Sequence, residues 1–102
     1  MIQINYIKIY IIYNIIYMPN SSQFIKATEV VKTLKTKPDN DTLSNLYGLY
    51  KQATVGDNTN PKPGMLDMVG CTKWNSWNKV KGLTIYEAEC QYITLVNTLL
   101  KK

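Results

Sequence analysis

The chain has 102 residues and a formal net charge of +5, carried by twelve lysines against seven carboxylates, with no arginine and no histidine. This length allows one domain with a modest core and leaves no room for a catalytic domain beside a binding domain. The commonest general base and the bidentate guanidinium fork for phosphate are both missing, which disfavours an enzyme. The lysines are scattered rather than massed in one run. This pattern favours a small anionic ligand with few phosphates.

The two cysteines, Cys71 and Cys90, fall in separate predicted helices. Neither has a second cysteine or a histidine close enough to suggest zinc, so we expect no metal and no cofactor. We expect both thiols to be reduced, as in a cytoplasmic protein, rather than joined as a disulfide.

The first seventeen residues form an unusual segment, in which all residues after Met1 except Gln3 are Ile, Asn, Tyr or Lys. We interpret residues 1–17 as a leader or disordered extension from an A/T-rich reading frame, with Met18 as the true start. A membrane anchor is one alternative, although the run is shorter than the roughly 20 apolar residues of a span and contains asparagine and lysine. A removed targeting peptide is the other, although a basic n-region and a small-residue cleavage site are missing.

A first helix is predicted to begin after three cap candidates, Asn20, Ser21 and Ser22, and to end at Lys37 and Pro38. Its apolar face has helical spacing and consists of Phe24, Ala27, Val31 and Leu34. The acidic run 39–41 then caps a second helix at its positive end.

The second helix carries aromatic and basic side chains beside its apolar face. Gly56 is placed where a C′ residue should end the helix. The apolar arc consists of Leu43, Leu46, Leu49, Tyr50 and Ala53, and its flank of Tyr47, Lys51 and Thr54. An ordinary amphipathic core helix would have the same apolar arc. The tyrosine and lysine on its flank are what indicate a ligand-binding surface.

Residues 56–70 form a long connection with three glycines and two prolines. Connections of this length in a compact domain are usually functional. Because Met65, Leu66 and Met68 are apolar, we expect this loop to fold back onto the body and to edge an apolar groove.

A third helix is predicted over residues 71–81, with Lys73 beside Trp74 and Trp77, and with Gly82 as its end. We expect the tryptophans to belong to the core rather than to a stacking platform. Thr84 and Glu87 form a capping box for a fourth helix. Its apolar face consists of Ile85, Ala88, Tyr92, Val96 and Leu99.

No strand-like alternation occurs outside the leader, so the predicted fold class is all-α. Four helices are joined by two short links and one long crossing between the second and third helices. The long crossing allows these two helices to run parallel.

Several short segments of the sequence also resemble those of a known protein family. Residues 50–57 (YKQATVGD), 62–67 (KPGMLD), 73–77 (KWNSW) and 81–82 (KG) resemble the acyl-CoA-binding protein family in order and spacing. The resemblance runs from about Phe24 to the C-terminus. It implies a four-helix up-down-down-up bundle and an acyl-CoA-binding domain over residues 18–102.

By this resemblance, the lysines and tyrosines hold the nucleotide end of the ligand. Lys51, Lys73 and Tyr47 serve the ribose 3′-phosphate, whereas Tyr50 and Tyr92 hold the adenine and Lys32 adds a phosphate-side contact. Three further residues are implied to lie near the acyl tail, namely Phe24, Thr28 and Met65. The chain departs from the family where Val69 replaces a common lysine and Thr28 replaces a common alanine.

The implied function is reversible binding and carriage of medium- and long-chain acyl-CoA esters by a cytoplasmic monomer, without chemistry. The implied partners are the long-chain ester and, transiently, membranes and enzymes that use acyl-CoA, but no nucleic acid. The sequence favours two other classes of protein less. A small basic nucleic-acid-binding module has only charge and aromatic residues in its favour. An enzyme acting on CoA esters needs an acid or base in the groove, and no carboxylate is paired in sequence with a nucleophile.

Overall fold

The computed structural model describes residues 20–102, and the predicted leader 1–17 and start at Met18 lie outside that part. Four helices make up the described chain: α1 (Ser22–Val30), α2 (Asn40–Thr54), α3 (Met68–Asn78) and α4 (Ile85–Leu100). A short 3-10 turn, Val31–Thr33, follows α1. No strand occurs in residues 20–102, which confirms the all-α prediction. In the same range, no helix is long and apolar enough to cross a membrane.

The predicted starts of α1, α2 and α4 are confirmed by side-chain caps. The Ser21 hydroxyl accepts from the Phe24 amide at 3.2 Å, and Asp39 accepts from the Thr42 amide at 2.8 Å. The capping box of α4 is complete, since the Thr84 hydroxyl accepts from the Glu87 amide at 3.0 Å and the Glu87 carboxylate accepts from the Thr84 amide at 3.1 Å. These bonds satisfy amides that a helix leaves free in its first turn.

Helix α2 lies at the centre of the bundle and packs against both α3 and α4, while α1 packs against α4. Pairs of neighbours give the directions of the helices. Residue 47 contacts residue 73 and residue 51 contacts residue 77, so α2 and α3 run parallel. Residue 20 contacts residue 89 and residue 24 contacts residue 92, so α1 and α4 also run parallel. Contacts 50 to 92 and 52 to 83 make α2 and α4 antiparallel. The up-down-down-up order is therefore confirmed.

Three predicted helix boundaries were wrong. Helix α1 ends at Val30 and leaves helical geometry at Leu34, well before Pro38, because β-branched residues fill its last turns. Helix α3 begins at Met68 rather than at residue 71 and ends at Asn78 rather than at residue 81. Its earlier start follows from a cap in which Asp67 accepts from the Gly70 amide at 2.9 Å.

One core of buried residues joins α1, α2 and α4, and its members are Phe24, Ala27, Leu46, Leu49, Ala53, Ala88, Tyr92 and Val96. The expectation that Ile85 belongs to this core was wrong, because its side chain is 45 % exposed. Leu83, from the turn before α4, packs against the core instead.

Buried polar side chains tie the ends of the helices together. The Gln52 amide donates to the Asp57 carboxylate at 2.7 Å and to the Leu83 carbonyl at 2.8 Å. The Glu89 carboxylate accepts from the Asn20 side chain at 2.8 Å and from the Ser21 amide at 3.0 Å. These bonds fasten the end of α2 to the turn before α4, and the start of α1 to α4.

The long connection is anchored by tryptophan rather than by methionine. The Trp77 indole donates to the Gly56 carbonyl at 2.7 Å and the Trp74 indole to the Asn60 carbonyl at 2.8 Å. The tryptophan prediction is right for Trp77, which is buried, whereas Trp74 is only partly covered. The expectation that Met65, Leu66 and Met68 fold back onto the body was wrong, since all three are exposed. The indoles hold the first half of the loop close, and the turn before α3 directs its apolar tip outwards.

Candidate functional site

Helices α2 and α3 each present one lysine and one aromatic ring, one turn apart, to the other helix. The Lys73 ammonium lies 5.6 Å from the ring centroid of Tyr47, and the Lys51 ammonium lies 4.7 Å from the ring centroid of Trp77. Tyr47 and Lys51 are four residues apart, as are Lys73 and Trp77, so each pair shares one helix face. The two cations therefore lie side by side along the seam between parallel helices.

Among the residues that the structure describes, neither of these two lysines has a carboxylate partner. Within residues 20–102 the one ion pair joins Lys32 to Glu29, at 3.8 Å, and both of its side chains are exposed. A cation over an aromatic face is stabilised by about 0.5–1 kcal/mol at an exposed site, whereas a hydrogen bond to a charged group contributes about 1.5–3 kcal/mol. A phosphate at this seam would therefore attract Lys51 and Lys73 away from their rings.

A second aromatic cluster joins α2 to α1 and α4. The Phe24 and Tyr92 rings meet edge to face at 5.1 Å, and the Tyr50 ring lies 6.2 Å from Phe24 and 6.4 Å from Tyr92. Tyr50 is 43 % exposed, so one part of its ring is open to a flat ligand, while Tyr92 is buried. Burial, with Tyr50 close by, raises the pKa of the Tyr92 hydroxyl, which keeps it neutral as a hydrogen-bond donor.

A groove of about 510 Å³ runs between α2 and α3 from the Tyr47 and Lys73 pair. Its walls combine apolar and small polar side chains, namely Asn40, Asp41, Leu43, Ser44, Tyr47, Met68, Val69, Thr72, Lys73 and Ser76. The groove thus has a cationic, aromatic end and apolar walls formed by Leu43, Met68 and Val69. A molecule with an anionic head and an apolar tail fits this order.

The structure links five of the six residues predicted for the nucleotide end. Tyr47, Tyr50 and Lys51 share α2, Lys73 lies over Tyr47, and Tyr92 lies beside Tyr50. Lys32 is different: it lies in the 3-10 turn after α1 and is paired with Glu29.

The three residues predicted near the tail do not line the groove between α2 and α3. Phe24 is 2 % exposed and supports the Tyr50 and Tyr92 rings from behind. The Thr28 hydroxyl donates to the Ile25 carbonyl at 2.6 Å on α1, and Met65 projects from the long loop.

Sequence reasoning missed the groove walls and the partner of Lys51. The glycines and prolines of residues 56–70 predict a loop over the run 65–69, whereas the structure places Met68 and Val69 on α3, in the same helix as Lys73. The available signal was Asp67 followed by Gly70 at cap spacing. Trp77 lies four residues after Lys73, and that spacing predicts a shared helix face.

The described residues contain no group of three or more His, Cys, Asp or Glu placed to hold a metal ion. Fold and site together define a basic, all-α bundle with a cationic aromatic seam beside an apolar groove, which is the class of small binding proteins for anionic amphiphiles.

Comparison with known proteins assigns the family. Residues 21–96 match the model of the family described as "Acyl CoA binding protein". The chain is 52 % identical over 79 residues to acyl-CoA-binding protein homolog 1 of Caenorhabditis elegans, covering 78 % of this chain and 92 % of that protein. It is 49 % identical over 82 residues to the acyl-CoA-binding protein homolog of Drosophila melanogaster, covering 80 % and 95 %. The chain belongs to the acyl-CoA-binding protein family.

Solved structures of relatives agree with the fold described above. The crystal structure of Oryza sativa acyl-CoA-binding protein 2 is similar with a TM-score of 0.75 at 42 % identity, covering 78 % of this chain and 88 % of that chain. The solution structure of the yeast acyl coenzyme A binding protein is similar with a TM-score of 0.64 at 45 % identity, covering 80 % and 95 %. The predicted bundle of the acyl-CoA-binding protein type is confirmed.

Proposed function

We propose that this protein binds fatty acyl-CoA esters reversibly and carries them without altering them. The observation that carries the proposal is the adjacency of three unlike surfaces. Two unpaired cations, an open tyrosine ring and an apolar groove meet along α2, and an acyl-CoA ester requires all three. The names of the relatives support the same ligand class.

The nucleotide end would lie across α2. Lys51 and Lys73 bind the ribose 3′-phosphate as point charges, with the Tyr47 hydroxyl as a hydrogen-bond donor beside them. Tyr50 and Tyr92 hold the adenine, for which Tyr50 offers exposed ring surface. Lys32 would exchange its exposed bond to Glu29 for a phosphate contact on the opposite side of the ligand.

The acyl tail would enter the groove between α2 and α3, where Leu43, Met68 and Val69 supply apolar walls. Thr28 and Met65 would contact the ligand outside this groove, and Phe24 would act mainly by holding the tyrosine rings. Val69 on the groove wall fits a hydrocarbon chain better than a lysine would, and this favours medium- and long-chain esters.

A purely binding role is supported by the way the carboxylates are used. Six of the seven are engaged in structure: Asp39, Asp67 and Glu87 cap helices, Asp57 and Glu89 join segments, and Glu29 pairs with Lys32. The seventh, Asp41, lines the groove.

We propose a monomeric carrier in the cytoplasm, where its two free thiols stay reduced, with transient contacts to membranes and to enzymes that use acyl-CoA.

Filling the tail groove tests this proposal with a matched pair of variants. Thr72 on α3 lines the proposed groove, and Thr94 on α4 lines a second groove of about 500 Å³ that includes Leu49 and Val80. Both hydroxyls donate to the carbonyl four residues earlier, at 3.0 and 2.9 Å. Thr72→Trp should weaken a long-chain ester about tenfold or more in calorimetry and leave free CoA unchanged, because only the tail is displaced.

Thr94→Trp should bind both ligands as the parent does. If Thr94→Trp were the variant that lost the long-chain ester, the tail would lie in the other groove and our placement would be wrong. If neither ligand bound the parent, the proposed function itself would fail. Consumption of the thioester during the titration, followed by chromatography, would show an enzyme instead of a carrier.

A further inference from the structure

A third lysine lies on an aromatic ring in the same way as the two lysines of the candidate site. The Lys62 ammonium lies 5.7 Å from the ring centroid of Trp74. Within residues 20–102, contacts of this kind are made by Lys51, Lys62 and Lys73 alone. Lys62 also makes no ion pair in that range, since the one pair joins two other residues. Lys62 therefore shares the free charge and the aromatic support of the two site lysines.

The position of Trp74 on α3 brings this third cation next to the other two. At about 100° per residue, the order around α3 is Lys73, Trp77 and Trp74, with steps of about 40° and about 60°. The Trp77 ring supports Lys51 at 4.7 Å, and the neighbouring Trp74 ring supports Lys62. Residues three apart on a helix are neighbours on its surface. The three ammonium groups thus line one side of α3, with Lys62 at the edge of the seam nearest the long connection.

The chain segment before Lys62 is fixed to α3 by hydrogen bonds. The Asn58 side chain is 2 % exposed and donates to the Trp74 carbonyl at 3.4 Å. The Asn58 side-chain oxygen accepts from the Asn60 amide at 2.9 Å, and the Trp74 indole donates to the Asn60 carbonyl at 2.8 Å. Lys62 follows this anchored segment directly after Pro61. Its backbone is thereby held beside α3, although its side chain is exposed and free to move to a ligand.

We propose that Lys62 is a third cation for the phosphate that Lys51 and Lys73 bind, an inference that rests on the proposed function. A phosphate monoester carries nearly two negative charges at neutral pH and offers three strong acceptor oxygens, so it can accept a third ammonium. The ring contact does not hold Lys62 back, because a hydrogen bond to a charged group is stronger than an exposed cation–ring contact. Lys62 would approach from the α3 side of the seam, whereas Tyr50 and the adenine lie on the α2 side.

A third cation at this place would distinguish the two kinds of phosphate in the ligand. A CoA ester carries a terminal phosphate on its ribose and a pyrophosphate within its chain. The three clustered lysines favour the terminal phosphate, because it bears the higher charge on a single phosphorus and is open to approach from several sides. Dephospho-CoA lacks this group and keeps the pyrophosphate. Lys62 should therefore increase the preference for CoA over dephospho-CoA beyond what Lys51 and Lys73 provide.

Calorimetric titration of the full-length chain with CoA and with dephospho-CoA tests the proposal. Lys62→Ala should weaken CoA about fivefold at low salt, the upper end for an exposed charge pair, and should leave dephospho-CoA within about twofold of the parent. Lys62→Arg keeps the charge and should bind CoA as the parent does. Lys79→Ala is the matched control, since it removes the same charge from an exposed lysine on the second groove. Raised salt should shrink the effect of Lys62→Ala.

Two results would overturn this proposal and leave the proposed function intact. One is a Lys62→Ala variant that binds CoA as Lys79→Ala does. The other is an equal loss with CoA and dephospho-CoA, which would place Lys62 on another part of the ligand. A loss in Lys62→Arg as large as in Lys62→Ala would also count against it, because charge would then not be the cause. A parent chain that binds neither CoA nor a long-chain acyl-CoA would instead overturn the proposed function, and with it the phosphate that Lys62 is to meet.

Discussion

At the scale of single residues, hydrogen bonds between different segments of the chain determine how the ends of the helices meet. Asp57 accepts from the Gln52 side chain at 2.7 Å and from the Gly82 amide at 2.9 Å. Gly82 takes a φ of +98° there, which favours glycine. Asp57 thus joins the end of α2 to the turn that follows α3.

The carboxylate of Asp57 gives a pH-dependent prediction. The Gly82 amide and then the Gln52 amide hold its pKa below the ordinary value of 3.8. The stability that it contributes is therefore fully present above about pH 3.8 and is lost as the pH falls through the lower, folded-state pKa. Asp57→Asn keeps an acceptor for both donors but removes the charge, so it should be less stable than the parent at neutral pH and equal to it in strong acid.

Thermal unfolding of the two proteins across this pH range measures the difference. Asp41→Asn is the control, because the Asp41 side chain makes no hydrogen bond within residues 20–102. The melting temperatures of Asp57→Asn and parent should converge as the solution is acidified. A constant gap at every pH would mean that the carboxylate charge is unimportant and that only shape matters.

Sequence reasoning could not find these bonds, because their partners are remote along the chain. Gln52 donates to a carbonyl 31 residues away, and Glu89 accepts from a side chain 69 residues away. By contrast, the predicted caps at Ser21, Asp39 and Thr84 were right, since each cap joins residues three positions apart. Local spacing is visible in one sequence, whereas pairing between remote polar residues is not.

At the scale of elements, the approach of α2 to α3 fixes the seam on which Lys51 and Lys73 lie. Gly48 is buried at this crossing, and a Cβ added there would lie against the Ser76 carbonyl and 2.8 Å from its carbon. Because both groups belong to backbone within helices, neither can give way without moving a helix. Glycine at this position therefore sets the distance between the two helices.

We predict that Gly48→Ala destabilises the protein by about 1–3 kcal/mol, even though alanine favours helices more than glycine does. Gly64→Ala is the control, since nothing lies within 4 Å of a Cβ at that position. Denaturant unfolding of both variants measures the difference. A Gly48→Ala variant at least as stable as the parent would show that the crossing can open, and the close approach would then not be required.

The boundary of α3 shows why part of the site escaped prediction. The three glycines and two prolines of residues 56–70 indicated a connection throughout, yet the last three of these residues are helical. Apolar residues in that run were expected to be covered, because burial is the usual outcome for methionine and leucine. The structure leaves them exposed, and Met68 and Val69 of the groove wall come from a segment that composition alone describes as a loop.

At the scale of the whole molecule, the sequence predicted the all-α class and the order of the helices. The family likeness implies six residues for the nucleotide end, and the structure brings five of these six together. Helical periodicity places Tyr50 on the apolar arc of α2 and Tyr47 and Lys51 on its flank, and the family likeness adds Lys73 and Tyr92. The sequence did not predict the groove proposed for the acyl tail, because that groove depends on how the two parallel helices α2 and α3 pack. The domain boundary at Met18 and the roles of the site residues stay predictions.

The central claim is that one small bundle binds two chemically different ends of an ester independently. The nucleotide end depends on charge at Lys51 and Lys73, and the tail depends on apolar area in the groove. Because these regions contact different parts of the ligand, changes to the two ends should be nearly additive in free energy.

Calorimetric titration of the parent and Lys51→Ala with free CoA and with a long-chain acyl-CoA tests this claim most directly. Lys79→Ala, an exposed lysine on the second groove, is the control. We predict that Lys51→Ala loses about 1.5–3 kcal/mol with either ligand, and that removing the tail costs up to about 0.8 kcal/mol for each buried methylene. The two losses should add to within about 0.5 kcal/mol. Free CoA bound as tightly as the long-chain ester, or a Lys51→Ala variant indistinguishable from Lys79→Ala, would contradict the account.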